Sequence, residues 1–247
     1  MSLSHPFRRL VAAGLLLVST SCFATELDII VKARERLGGE KLLSNVHSIH
    51  FVGKLTLPSG ETTALEIVIQ APMQQRLTVT TDAQITLTAL DGYDAWQRSA
   101  DAKNPARWRL TLLGKEQLKR LRANTTENLN FFKTEGFPGT VEDLGLVNVE
   151  GKNLRKLAYH YDSVICFYRY FDPETGRLMV SETDEGMRIR EEGEIIVEGI
   201  HFAKEIHSSK MNKGAAAEEA KIEFEKITIN ESFSPSLFTV PMPKQNQ

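Results

Sequence analysis

The fold is decided by residues 48–98, which read SIHFVGKLTLPSGETTALEIVIQAPMQQRLTVTTDAQITLTALDGYDAWQR. Apolar and polar side chains alternate along successive runs of this stretch, beginning with Ile49 and Phe51 on one face. The turn signals Pro58-Ser59-Gly60-Glu61 and Asp91-Gly92 separate some of these runs. Alternation of this kind, with many β-branched residues, is typical of antiparallel strands that have one apolar face. We therefore expect a β meander with its apolar side chains on one side.

The N-terminus has the pattern of a secretory signal peptide over residues 1–24. Arg8 and Arg9 precede an apolar run from Leu10 to Val18, which is too short to cross a bilayer as a mature helix. Cleavage after Ala24 leaves a chain of a size that β-rich folds commonly keep as one domain. We expect a single domain over residues 25–240, a disordered tail over residues 241–247, and a periplasmic location.

The two cysteines, Cys22 and Cys166, leave one alternative open. A small residue precedes Cys22, so this cysteine could instead carry a lipid anchor, although the lead-in lacks the usual aliphatic residue. If the signal peptide is removed, Cys166 is alone and no intrachain disulfide forms. Cys166 lies between Ile165 and Phe167, a setting that favours a small buried side chain over a nucleophile.

The charge balance gives no sign of a polyanionic partner. The formal net charge is −2 and the two signs are interspersed along the chain. Nucleic-acid-binding domains usually carry a clustered excess of Lys and Arg. We expect no nucleic-acid partner and a monomer.

Helical patterns flank and interrupt the β runs. The first is Glu26 to Leu37, with Thr25 as the predicted N-cap and Gly38-Gly39 as its end. Two further helical pieces are predicted over residues 114–123 and 125–133. Because they form an insertion between two β regions, residues 115–137 are the candidate lid.

The C-terminal region contains a phase change. Ile222 and Phe224 share one phase, and Ile227 and Ile229 share the other. This shift predicts a β-bulge near Glu225–Lys226. Ser234 to Phe238 is predicted to form one helical turn that buries its last two side chains.

No motif for catalysis, metal binding or cofactor binding is present in the sequence. Helical His-Glu-x-x-His, Cys-x-x-Cys, Gly-rich phosphate loops and Gly-x-Ser-x-Gly are all missing. The histidines show no ligand spacing with a carboxylate partner, and the acidic group Glu191, Glu192 and Glu194 favours a solvated edge over a calcium site. We expect no enzyme activity, metal or cofactor. A hydrolase remains an alternative only if folding joins His160, His201 or His207 to a carboxylate.

Several short motifs occur along the sequence in the same order as in a known family. The chain resembles the bacterial outer-membrane lipoprotein-sorting proteins and their periplasmic relatives, which share the LolA/LolB-like fold. The features that carry this resemblance are Leu37-Gly38-Gly39, Lys41-Leu42-Leu43, Ile49-His50-Phe51-Val52-Gly53-Lys54, Gln70-Ala71-Pro72, Arg76-Leu77, Leu90-Asp91-Gly92-Tyr93-Asp94-Ala95-Trp96, Phe171-Asp172-Pro173-Glu174-Thr175-Gly176, Ser236-Leu237-Phe238 and Pro241. Each motif is unspecific by itself. The resemblance depends on their order and spacing across nearly all of residues 25–240. The family's characterised carriers are shorter than this chain.

The resemblance implies a mainly β protein of the α+β type. Its expected architecture is a curved antiparallel half-barrel of about eleven strands, with helices covering the concave face. In relatives of known role the hollow takes acyl chains of lipids or lipoproteins, which implies lipid acyl chains or a lipoprotein as partner here, with inner- or outer-membrane sorting components as further partners. An envelope protein-interaction module with a packed interior is the alternative.

The apolar alternation supplies candidates for the wall and lid of such a hollow. Trp96 and Trp108 fit a cavity wall and a solid core equally well by their spacing. The full candidate set is Leu55, Leu57, Leu65, Ile67, Leu77, Val79, Ile85, Leu87, Trp96, Trp108, Leu118, Leu121, Phe131 and Phe132.

Overall fold

A computed structural model describes residues 27–211 and 218–241. The predicted signal peptide, Cys22 and the tail beyond residue 241 lie outside these ranges, so the predictions for them stay predictions. The strands are β1 (Ser48–Thr56), β2 (Thr62–Gln70), β3 (Gln74–Thr80), β4 (Gln84–Asp91), β5 (Asp94–Asp101), β6 (Trp108–Leu112), β7 (Thr140–Val149), β8 (Lys152–His160), β9 (Cys166–Phe171), β10 (Leu178–Thr183), β11 (Met187–Glu192), β12 (Ile195–Val197), β13 (Ile200–Phe202), β14 (Glu205–Lys210) and β15 (Glu219–Ile229).

The helices are α1 (Asp28–Leu37), α2 (Glu40–Leu43), α3 (Lys115–Asn130) and a 3-10 turn at Pro235–Leu237. Gly38 ends α1 with a φ of 138°, and its N–H donates to carbonyls of the last helical turn, which confirms the predicted end. Leu27 occupies the N-cap position without a side-chain bond, so the helix begins later than the predicted cap Thr25 requires. The predicted turn before Phe238 is also confirmed, and Phe238 is fully buried.

Within the described residues, thirteen strands form one open antiparallel sheet in the order β6-β5-β4-β3-β2-β1-β15-β14-β11-β10-β9-β8-β7. The sheet consists of two meanders joined where β1 pairs with β15, and its two edges are β6 and β7. The prediction of a mainly β, antiparallel protein with few helices is confirmed, and the open sheet is consistent with a LolA-like half-barrel. The count of about eleven strands is wrong, because the two meanders together supply thirteen strands to this sheet.

The pairing of β1 with β15 contains the predicted bulge. Val52 pairs with Lys226 and Gly53 pairs with Phe224, so Glu225 is the extra residue. A Cβ added at Gly53 would lie 2.2 Å from the carbonyl oxygen of Glu223. Glycine is therefore required here, because the backbones of the two strands approach too closely for any side chain.

One face of the sheet, called the inner face below, carries Ile49, Phe51 and Ile67. Residues paired across an antiparallel sheet share a face, so the register extends this face to Leu77 on β3 and to Ile206 on β14. The largest apolar cluster forms here, between the inner face, Phe131 after α3, and the separate β12–β13 hairpin.

The opposite, outer face is covered in part by the segment that follows β15. The indole N–H of Trp96 donates to the carbonyl oxygen of Phe238 at 2.8 Å. Leu87, Ala89 and Trp96 pack with Val240 in a buried cluster. Both faces of β4 and β5 therefore contain buried apolar side chains.

The lid region differs from its prediction, because α3 is one helix and not two. The predicted break fell at Asn124 and Thr125, which are weak helix formers. Thr125 is fully buried, and its hydroxyl bonds both to Gln75 on β3, at 3.0 Å, and to the carbonyl oxygen of Leu121, at 2.8 Å. Packing against the sheet therefore outweighs the low intrinsic propensity.

Candidate functional site

An apolar cavity of about 350 Å³ lies between the inner face and the elements that cover it. This volume is within the range of roughly 300–1,000 Å³ usual for small-molecule sites. The sheet contributes the apolar side chains of Ile49, Phe51, Ile67, Ile69, Leu77, Ile189, Ile206, Ile222 and Phe224, and the cover contributes those of Leu37, Phe131, Phe132 and Phe202. The polar residues of the lining are Gln75, Asn124, Glu127, Asn128, Arg169, Ser181, Glu191 and His201. The interior is thus not filled by the protein's own side chains.

The chain reversal after α3 places two aromatic rings at this cavity. Phe131 and Phe132 adopt left-handed backbone conformations, with φ of 46° and 67°. Such conformations are unfavourable for residues other than glycine, by about 1–2 kcal/mol each. Arg34 on α1 stabilises the reversal, because its guanidinium donates to the carbonyl oxygens of Asn130 and Phe131, each at 2.8 Å. These bonds satisfy carbonyls that the end of α3 leaves without partners.

A buried ion pair joins α3 to the sheet at one side of the cavity. The guanidinium of Arg169 on β9 donates to the carboxylate of Glu127 on α3, and the Tyr161 hydroxyl donates to the same carboxylate. The side chains of Arg169 and Glu127 are 10% and 9% exposed. Burial opposes the charge of Arg169, but Glu127 outweighs it and holds the pKa of the guanidinium above its ordinary value. Burial and Glu127 together raise the pKa of Tyr161.

Glu191 on β11 lies among these apolar residues. It pairs with Ile206 in the sheet and shares the inner face with Ile189. Among the described residues its carboxyl group has no hydrogen-bond or ion-pair partner. Burial raises its pKa, and the positive charges of Arg169 and Arg177 oppose that rise.

A second cavity of about 410 Å³ adjoins the first and is more polar. Leu37, Phe132, Leu178, Glu191, His201, Phe202 and Ala203 line both cavities. The second cavity adds Arg36, Arg177 and Glu194. Glu194 Oε1 lies 2.9 Å from His201 Nδ1 and 3.6 Å from Arg36 Nη2, and the bond from His201 lowers the pKa of Glu194.

The structure separates the predicted cavity residues into three groups. Ile67, Leu77, Phe131 and Phe132 line the apolar cavity, and Leu55, Leu65 and Val79 belong to the same inner-face cluster. Leu57, Leu118 and Leu121 are half-buried but lie outside the linings of both cavities.

The third group lies on the wrong side of the sheet. Ile85, Leu87, Trp96 and Trp108 are on the outer face, because Leu77 pairs with Thr88 and the register then turns the apolar residues of β4 away from the cavity. The inner face of β4 carries Thr86, Thr88 and Leu90 instead.

The polar residues of the site were missed, although the alternation contained a signal for them. Glu191 was expected on a solvated edge, yet it is in phase with Met187 and Ile189. Arg169 is likewise in phase with Phe167 and Phe171. Extending the period-two pattern through these charged positions places both residues on the inner face.

Folding places several histidines next to carboxylates, although the sequence shows no metal-ligand spacing for them. Besides His201, His160 lies 3.5 Å from Glu142, and His207 lies 2.9 Å from Glu219. His207 also lies with Glu192 and Glu205 close enough for one atom of each to contact a single ion. No serine or cysteine side chain in the described part of the chain hydrogen-bonds to these imidazoles. A nucleophile paired with a base, which acyl transfer by such groups requires, is therefore missing from these clusters.

Comparison with known proteins supports the fold. No family model and no curated protein matches the chain. A LolA superfamily protein from Nitrosomonas europaea matches with a TM-score of 0.53 and 12% identity, over 85% of this chain and 96% of that one. The chain therefore has a LolA-like fold, and the resemblance seen in its motifs is confirmed at the level of the fold.

Two further solved structures are similar more loosely. The lipoprotein LppX from Mycobacterium tuberculosis has a TM-score of 0.34 and 11% identity, over 85% of this chain and 99% of that one. The MucA/MucB complex from Pseudomonas aeruginosa matches with a TM-score of 0.32 and 12% identity, over 86% of this chain and 61% of that one. At these TM-scores the two likenesses carry no argument. Among the described residues, no helix has the length and apolar character that crossing a membrane requires.

Proposed function

We propose that this protein binds and carries a lipid acyl chain, either of a free lipid or of a lipidated protein, without catalysing a reaction. The observation that carries the proposal is the apolar cavity of about 350 Å³ between the inner face and α3. The LolA-like fold agrees with this role. We further propose that the chain acts in the periplasm after loss of residues 1–24 and exchanges its cargo with envelope sorting components.

The hydrophobic effect supplies enough free energy for such binding. Burying a CH₂ group gains about 0.8 kcal/mol, so one long acyl chain gains on the order of 10 kcal/mol before ordering costs. Most of the lining is apolar, and such a wall favours an alkyl chain over a wholly polar ligand. No catalytic group is needed for this chemistry.

Reversible loading requires a cover that moves, and α3 is the proposed lid. Polar contacts hold it on both halves of the sheet. Arg122 donates to the carbonyl oxygen of Gly92 at 2.5 Å on one side, and Lys119 pairs with Asp162 at 2.7 Å on the other. Lifting α3 breaks these two contacts and also the buried pair of Glu127 with Arg169.

The alternative of an interaction module predicted a packed interior. A cavity of about 350 Å³ lined mainly by apolar side chains does not fit that prediction. The acyl-binding proposal accounts for the cavity directly.

The proposal is tested by native mass spectrometry of the protein purified from the bacterial envelope. We expect co-purifying lipid, and a higher melting temperature after addition of phospholipid or an acylated peptide. Leu77→Trp places a large ring in the cavity and should abolish both effects. Thr80→Trp is the matched control, because Thr80 is exposed and lies on the outer-face side of the same strand.

Three results would contradict the proposal: only apo protein, no thermal response to either lipid, or equal binding by both tryptophan variants. The mass of the mature N-terminus from the same sample distinguishes cleavage after Ala24 from lipid attachment at Cys22.

A further inference from the structure

The apolar cavity and the more polar second cavity adjoin each other. Leu37, Phe132 and Phe202 belong to the lining of both, so the two cavities meet at these side chains. An amphiphile whose alkyl chain fills the apolar cavity and whose polar end passes these side chains would place that end in the second cavity. The charges of that second cavity determine which headgroup fits there.

Most charged groups in the second cavity have partners within the protein. Arg36 and His201 both face Glu194, at 3.6 and 2.9 Å. Arg177 differs, because its side chain is exposed and has no hydrogen bond or ion pair with any described residue, and Glu191 and Glu194 act on it only at longer range. Arg177 is thus a positive charge at the cavity that no carboxylate contacts directly.

Glu191 is the remaining acidic residue of this lining. Burial raises its pKa and so favours its neutral form. A neutral carboxyl group can donate a hydrogen bond to a ligand oxygen and repels an anion far less than a carboxylate does. Arg177 is therefore left as the group that selects the charge of the headgroup.

We propose that the ligand is an amphiphile with an anionic headgroup, whose carboxylate or phosphate pairs with Arg177 while its alkyl chain fills the apolar cavity. The inference rests on the proposed acyl-binding function and narrows its ligand class. A guanidinium suits both oxyanions, because its planar fork can donate two parallel hydrogen bonds.

The test uses three probes that share one alkyl chain and differ only in headgroup: laurate, dodecyl phosphate and dodecanol. Affinities are measured by isothermal titration calorimetry at neutral pH, with inorganic phosphate as the probe without a tail. We expect the two anions to bind about tenfold more tightly than dodecanol, as a charge-assisted pair in a partly exposed site implies. Tighter binding of laurate would identify a fatty acid as the ligand class, and tighter binding of dodecyl phosphate would identify a phospholipid.

Arg177→Gln should remove the preference for the anions and leave dodecanol binding unchanged. Arg107→Gln is the matched control, since Arg107 is also exposed but lies outside both cavities. Melting temperatures of both variants check that they fold. Three results would overturn the inference about the headgroup without overturning acyl-chain binding. They are equal affinity of the three alkyl probes, a preference for the anions that survives Arg177→Gln, and binding of inorganic phosphate as tight as that of dodecyl phosphate. Binding of no alkyl probe at all overturns the acyl-binding function as well.

Discussion

Removing Glu127 should destabilise the protein strongly, because it leaves the Arg169 guanidinium buried without its counter-ion. Both side chains are about 90% buried, and the Tyr161 hydroxyl would lose its acceptor at the same time. Breaking a buried pair by removing one partner costs about 3–5 kcal/mol. We expect a loss of this size for Glu127→Leu.

For a domain of this size, each kcal/mol lost from the free energy of unfolding lowers the melting temperature by about 2–4 °C. The melting temperature of Glu127→Leu should therefore fall by about 6–20 °C. Circular dichroism during heating and urea titration gives both quantities. The double variant Glu127→Leu with Arg169→Met replaces the pair by apolar side chains and should regain most of the lost stability. The control is Glu150→Gln, because Glu150 pairs with Arg188 on the surface, where such a pair contributes at most about 1 kcal/mol.

A smaller loss of stability for Glu127→Leu than for the surface control would contradict the burial of this pair. Simple addition of the effects of Glu127→Leu and Arg169→Met in the double variant would contradict the pairing, since two directly paired groups must show coupling.

Three further predictions concern stability. Gly53→Ala should cost about 1–3 kcal/mol in urea unfolding, because the added methyl group meets the Glu223 carbonyl oxygen; a neutral result would contradict the bulge geometry. Hydrogen bonding to Glu219 raises the pKa of His207 above 6.5, so its stabilisation is lost as pH rises through the folded value, and His207→Gln should remove this loss of stability above pH 6.5. Burial raises the pKa of Glu191 above 4.5, so ionisation at higher pH reduces stability, and Glu191→Gln should raise the melting temperature at pH 7.5 but not at pH 4.

The succession of strands, turns and helix ends was predictable from the sequence, because each of these features depends on residues close to it in the chain. Alternation and turn residues locate β1 to β5, and the phase change around Glu225 locates the bulge. Gly38 likewise marks the end of α1. The continuity of α3 was not predictable in this way, since it depends on the contact between Thr125 and Gln75, which are far apart in the chain.

The candidate site was only partly predictable, because alternation of apolar and polar residues does not show which face of the sheet is turned to the cavity. On β4 the apolar set containing Leu87 faces the C-terminal segment around Val240, and threonines face the interior. Only the register with β3 and the position of that segment decide between the two faces. On β3 the choice of face is narrower, because Leu77 lies on the inner face and the outer-face side chains of that strand are polar.

The pairing of β1 with β15 determines when the sheet can be completed. A chain made from its N-terminus can pair β2 to β6 onto one side of β1 early, whereas the other side has no partner until β15 emerges near the end of synthesis. For that interval the row of unpaired amides and carbonyls on β1 is open to other chains. An incomplete chain is consequently open to aggregation at a strand that, in the finished molecule, lies in the middle of the sheet.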